Sequence, residues 1–233
     1  MAKTPKVGFD ISNPKSYIQV PQHNAVTTAW PMFRGDRLDF NQSLQAPAEV
    51  SSDILWMANL PIFTTHFVNL RDAARGDIQL YDGAGKKIPR KEAKKHWDYT
   101  STGSGGLCDS WLDASFIERG GRMFMETNHR ISDLEEGKHI SYDKIPLLPN
   151  KHTHGLVNLK FNRQGLAVSF SKLQSYIHGE NIYSCFPSNG SVAVFNAYSG
   201  RAGLYCYGDP SYSNSNLGVF ASAQKNLVTK LFK

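Results

Sequence analysis

The sequence predicts a β-rich α+β fold in one domain, and three observations predict it. Apolar and polar residues alternate in the second half, with Val157, Leu159 and Phe161 set against Asn158 and Lys160. A period of two marks a half-buried strand. Clusters of Gly, Ser, Asn and Pro separate these runs, which is turn chemistry. Only one stretch, Leu107–Glu118, combines helical spacing with a clean glycine stop at Gly120-Gly121. The 233 residues are 40% apolar and 20% charged, enough for a sizeable core and too apolar for wholesale disorder. The longest apolar runs, such as Ile54–Ala58, fall far short of the ~18 residues a spanning helix needs.

Taken in order, residues 1–50 read as an extended arm, because prolines recur at 5, 14, 21, 31 and 47. Within it Tyr17–Val20 and Val26–Trp30 are strand-like. Residues 51–233 then form the α+β domain. Pro61 argues against a continuous helix through ILWMANLPIFTTHFVNL, so a short turn followed by a strand over 62–70 is expected. A strand at 77–81 ends in the Asp82-Gly83 turn, and 91–96 is a short helix. Cys108, Leu112 and Phe116 share a face at i, i+4 and i+8, which predicts a helix over 107–118 behind a small-residue loop at 100–106. Arg122–Glu126 reads as a strand. The sharpest local expectation is a β-hairpin over 155–170 turning at Asn162–Gly165. Further strands fit 181–186, 191–196, 202–207 and 217–221, mostly antiparallel from 155 onward, and a terminal helix fits 222–232.

The chemistry concentrates at Gly105-Gly106-Leu107-Cys108. A cysteine just inside a helix N-terminus is held toward thiolate by unpaired backbone N–H groups and the helix dipole. Glycines before it let backbone donors approach a developing oxyanion. His154 opens a later strand and is the candidate base, with His129 as a rival partner. The segment GLCDSWLDASFIE resembles the nucleophile helix of YopT-type effector peptidases, a papain-like group. Gly106, Cys108, Phe116 and Ile117 carry the likeness, over about a dozen residues. The resemblance implies a thiol hydrolase or acyltransferase acting on a protein substrate. Where that family carries its orienting Asp, this chain has Pro187 within Phe186–Gly190, which leaves Asn158 or Asn196 to orient the histidine.

Other residues imply less. Cys185 and Cys206 sit in strand text and read as packing residues. His66, His152 and His154 lack a supporting carboxylate or thiol, so no metal and no cofactor is expected. The net charge of +6 and pI near 9.2 owe much to Lys86, Lys87, Arg90, Lys91, Lys94 and Lys95. This run reads first as a solvated face, and second as a contact for nucleic acid or an anionic surface. The text from Tyr198 to Tyr212 is rich in aromatics that can face a ligand or a subunit. A second function class follows from the arm and the short strands: a non-catalytic virion, tail or surface-assembly protein, with a homo-oligomer as the form it would take. The N-terminus has no apolar stretch of the kind a secretory signal needs, and three sparse cysteines fit a reducing cytoplasm.

Overall fold

A computed structural model describes residues 12–32, 37–50, 54–103, 108–134, 137–148, 154–214 and 217–227. Among the described residues, two sheets, three longer α-helices and a helical start at 225–227 make up a mixed α+β, β-rich domain. The small sheet runs β1-β2-β12-β3, from β1 (Tyr17–Val20), β2 (Ala25–Thr28), β3 (Trp56–Met57) and β12 (Ala221–Gln224). The large sheet runs β6-β5-β4-β9-β10-β8-β7. Its strands are β4 (Cys108–Arg119), β5 (Arg122–Leu134), β6 (Gly137–Pro146), β7 (His154–Asn158), β8 (Asn181–Cys185), β9 (Ser191–Tyr198) and β10 (Arg201–Gly208). The short β11 (Leu217–Val219) pairs with the N-terminal part of β4, on the edge that β5 takes further along. Most pairs are antiparallel, as expected; β8 with β10 and β4 with β11 are parallel.

Helices α2 (Leu60–Arg75) and α3 (Arg90–Thr102) cover one face of the large sheet. Leu60, Phe63, Phe67 and Leu70 of α2 meet Leu112, Phe116, Phe195 and Leu204 from three strands. The ring centroids of Phe63 and Phe195 lie 4.7 Å apart, and those of Phe67 and Trp97 4.9 Å. Each such fully buried side chain contributes about 1.5–3 kcal/mol by leaving water. Helix α1 (Phe40–Val50) packs on the opposite face of β4, where Phe40 and Leu44 cover Trp111.

Several expectations are corrected here. Residues 107–118 are not a helix; Cys108–Arg119 is a strand, because a spacing of four is also a multiple of two. Leu112, Ala114 and Phe116 join the core beneath α2, while Trp111 beside Leu112 joins the cluster on the other face, a period of two. The expected strand at 62–70 is helix α2. Asn59 caps it by accepting from the Ile62 N–H at 3.0 Å, and Pro61 occupies the first turn, where no N–H is needed. Gly76 ends it in the left-handed region at φ +91°.

The described residues among the first fifty do not form an extended arm. β1 and β2 are buried throughout and paired, and α1 follows. Residues 77–81 contribute only a bridge, Tyr81 to Lys87. The short helix at 91–96 extends over 90–102, taking in Thr100, Ser101 and Thr102 of the small-residue loop expected at 100–106. Residues 222–224 of the expected terminal helix belong to β12, 225–227 are helical as expected, and 228–232 lie outside the described residues.

The hairpin at 155–170 is present. Asn162 Oδ1 accepts from the N–H groups of Gln164 and Leu166, and Gly165 donates to the Asn162 carbonyl. Among the described residues no helix is long and apolar enough to cross a membrane.

Candidate functional site

The expected thiol site is not brought together. Cys108 begins β4 and His154 begins β7, with β9, β10 and β8 between them. Four strand spacings of about 4.8 Å separate the two backbones by roughly 19 Å. Gly105, Gly106 and His152 lie outside the described residues. Asn158, the expected orienting residue, donates from Nδ2 to Ser169 Oγ at 3.0 Å and to the Phe170 carbonyl at 2.9 Å, closing the hairpin.

His154 instead stands directly across from Cys185, its cross-strand partner in β7–β8. Tyr207 hydrogen-bonds to the thiol and meets the imidazole edge-on at 6.2 Å. Partial burial pushes the Cys185 thiol above its ordinary range, and the Tyr207 contact opposes that. Iodoacetamide alkylation of Cys185, followed by peptide mass spectrometry, is therefore expected to rise only above the pH typical of a free thiol. Tyr207→Phe shifts the inflection higher still; an inflection near neutrality would overturn this placement. Cys206 is fully buried, as its packing role requires.

The basic run is a solvated face. Lys94 pairs with Asp98 at 2.5 Å and Lys95 with Glu92 at 3.3 Å along α3. Arg90 donates from Nε to the Ala74 carbonyl at 3.0 Å, tying α3 to α2. Lys86 and Lys87 extend from the turn closed by Asp82, whose Oδ1 accepts from the N–H groups of Ala84 and Lys86. Lys91 is exposed on the first turn of α3. Pairs of this exposed kind contribute ~0.3–0.5 kcal/mol each. Among the described residues no three His, Cys, Asp or Glu side chains gather as metal ligands.

The most organised polar geometry lies elsewhere, at Asp113 and His129. The β4–β9 register shifts between Leu112 and Ser115, and the β5–β6 register shifts between Thr127 and Arg130. Asp113 sits in the first irregularity and His129 in the second. An extra residue in a ladder re-aims side chains that regular pleating would send elsewhere. Asn128 takes the left-handed conformation at φ +56° there.

Asp113 is completely buried. One carboxylate oxygen bonds to His129 Nδ1, and the other accepts from the His129 backbone N–H at 2.9 Å. Thr127 Oγ1 donates to the Asp113 carbonyl at 2.7 Å. A chain of amides pins the neighbouring residue: Asn59 Nδ2 donates to Asn128 Oδ1 at 2.6 Å, and Asn128 Nδ2 to Asp143 at 2.7 Å. The imidazole is flanked by Tyr142 at 5.2 Å and Phe40 at 6.2 Å.

His129 lines a cleft of about 590 Å³ with Trp56, Asn59, Ile62, Arg130 and Gln224. That volume is within the ~300–1,000 Å³ of small-molecule sites. With Nδ1 committed to a buried carboxylate, Nε2 is the ring nitrogen free to exchange a proton.

Sequence reasoning named His129 only as a partner for a cysteine, and missed Asp113. One signal was available. Reading Arg119-Gly120-Gly121-Arg122 as a tight hairpin rather than a helix stop pairs Ser115 with Glu126. Continuing that ladder sets Asp113 beside Asn128 and His129. No family model, no curated protein and no solved structure matches the chain.

Proposed function

We propose that the protein is a hydrolase of the acid–base type, with His129 as the proton-transferring group and Asp113 as its orienting carboxylate. The observation that carries this reading is a fully buried Asp113 holding His129 through Nδ1 at the wall of an open cleft. In this mechanism Nε2 takes a proton from water as the water oxygen attacks the substrate's carbonyl carbon or phosphorus. The same nitrogen then returns the proton to the departing oxygen. Asp113 stays ionised throughout and stabilises the imidazolium between the two transfers. Arg130, exposed at the same cleft, supplies a cation for an anionic ester or phosphodiester. The reading keeps the hydrolase class expected from the sequence and replaces the Cys108–His154 pair with a carboxylate–histidine pair that the fold has assembled.

The test uses p-nitrophenyl acetate and bis(p-nitrophenyl) phosphate as probes. Turnover of at least one is expected, falling ~10²–10⁴-fold in His129→Ala, the usual contribution of a positioned acid–base group. Circular dichroism checks that the variant is folded. His129→Gln, closer in shape, is expected to lose the same activity. Hydrolysis that survives in both folded variants, or is absent from wild type with both probes, overturns the proposal.

A further inference from the structure

The face of the large sheet turned away from α2 and α3 carries a patch that the hydrolase reading does not use. Alternation sends Leu204 and Cys206 into the core and Gly203, Tyr205 and Tyr207 outward. Register extends the outward set across five strands. Cys185 pairs with Tyr205 and Tyr183 with Gly203; His154 pairs with Cys185. Asn196 of β9 pairs with both Gly203 and Asp109. Tyr176, in the segment before β8, lies parallel to Tyr183 within 4° at 6.1 Å. Tyr205 and Tyr207 meet edge-on at 5.9 Å.

Gly203 has a reason to be glycine. A Cβ there would come within 2.6 Å of the Tyr205 ring, so that ring lies over the bare backbone. The result is a row of half-exposed phenol rings, with Tyr207 51% exposed. Beside the rings, on β9 and β4, lies a polar pair: Asn196 Nδ2 donates to Asp109 Oδ1 at 2.5 Å.

We infer that this tyrosine face binds a neutral oligosaccharide. Sugar rings present flat C–H faces that pack on phenol rings, and hydroxyls that pair with amide and carboxylate groups; the patch supplies both. A nucleic acid fits less well. Its phosphates would run past the Asp109 carboxylate, and Lys144, a cation that register sends to the same side of the sheet, is already paired with Glu126 at 2.7 Å. The main basic run is on α3, on the other side of the sheet. A partner protein that needs a dry apolar surround also fits less well, because Asp109 and Asn196 border the patch on one side and His154 on the other.

The inference is tested by calorimetric titration with cellohexaose, xylohexaose, mannohexaose and chitohexaose, each at up to millimolar concentration. Binding of at least one is expected. The Tyr176→Ala/Tyr183→Ala double variant is expected to bind at least about tenfold more weakly, equivalent to ~1.4 kcal/mol. Lys94→Ala, on the opposite side, leaves affinity unchanged. A single-ring variant, Tyr207→Ala, guards against failure of the double variant to fold and is expected to weaken binding in the same direction. The inference is overturned by no binding to any of the four sugars, or by equal binding in folded tyrosine variants. Preferential binding of a single-stranded oligothymidylate, or dimerisation through this face, also overturns it.

Discussion

Lowering the pH from 8 to 5 is expected to destabilise the protein by several kcal/mol, through two buried histidines that must stay neutral. His66 of α2 is completely buried, and neither ring nitrogen has a hydrogen-bond partner. His96 of α3 is 4% exposed and its Nδ1 is unpartnered. Burial pushes His66 down to about 3, and the nearby His96 lowers it further. Burial likewise brings His96 down to about 4; Glu92 and the Ala29 carbonyl oppose this, while Lys95 adds to it. Trp30 packs on the His96 ring at 4.6 Å and Phe220 on that of His66 at 5.9 Å, so water has little part in either environment.

The sign follows from linkage. In the unfolded chain both imidazoles protonate near the ordinary histidine value of 6.5. In the folded chain they do not until much lower pH, so below 6.5 the unfolded state binds more protons. Stability is therefore full above pH 6.5 and falls as pH drops toward 4. Each histidine contributes a slope of up to ~1.4 kcal/mol per pH unit. Two together remove roughly 4 kcal/mol by pH 5, against the ~5–15 kcal/mol that holds a domain folded.

Asp109 works the other way, since burial pushes it up to about 6. Its partial exposure makes it the smaller influence. Urea unfolding at pH 8 and pH 5, followed by tryptophan fluorescence, measures the loss. His66→Leu removes the site with a side chain that needs no partner, so its advantage over wild type is expected to widen as pH falls from 6.5. A midpoint that does not move with pH, or a His66→Leu difference that stays constant, would falsify this account.

What the sequence showed of the fold, and what it hid, depends on which patterns are ambiguous. The hairpin at 155–170 was legible because alternation and turn chemistry at Asn162–Gly165 point the same way. The strand at 108–119 was misread because Cys108, Leu112 and Phe116 satisfy both a helical and a strand period. Helix α2 was hidden by Pro61, which breaks a helix interior but starts a helix well. The Asp113–His129 pair was out of reach of any periodicity argument, because both residues sit where the ladders lose register. Irregularities of this kind leave no repeating mark in a sequence, so the buried carboxylate had no pattern to announce it. The tyrosine text at 198–212 was noticed, but the partners that turn it into a platform come from β4, β8 and β9. Only strand order supplies them.

Gly165→Ala is expected to cost roughly 3 kcal/mol or more, although it adds one methyl group to a turn. Gly165 has φ +76°, where an L-residue is strained. A Cβ there would also sit 2.5 Å from the Leu60 carbonyl carbon and 2.7 Å from its oxygen. Those are backbone atoms at the first turn of α2, fixed by the Asn59 cap and by the burial of Leu60 and Phe63. A flexible side chain could swing aside; this backbone cannot move without disturbing the helix that anchors the core.

Gly190 provides the control, because it has the same φ of +76° with nothing within 4 Å of its missing Cβ. Gly190→Ala is expected to show the conformational strain alone, about 1 kcal/mol. The difference between the two variants in urea midpoint, at equal slope, isolates the contact between hairpin and helix. Equal losses would mean that the hairpin tip rides over α2 without being wedged against it, and that close docking of turn on helix start is not what sets the hairpin's position.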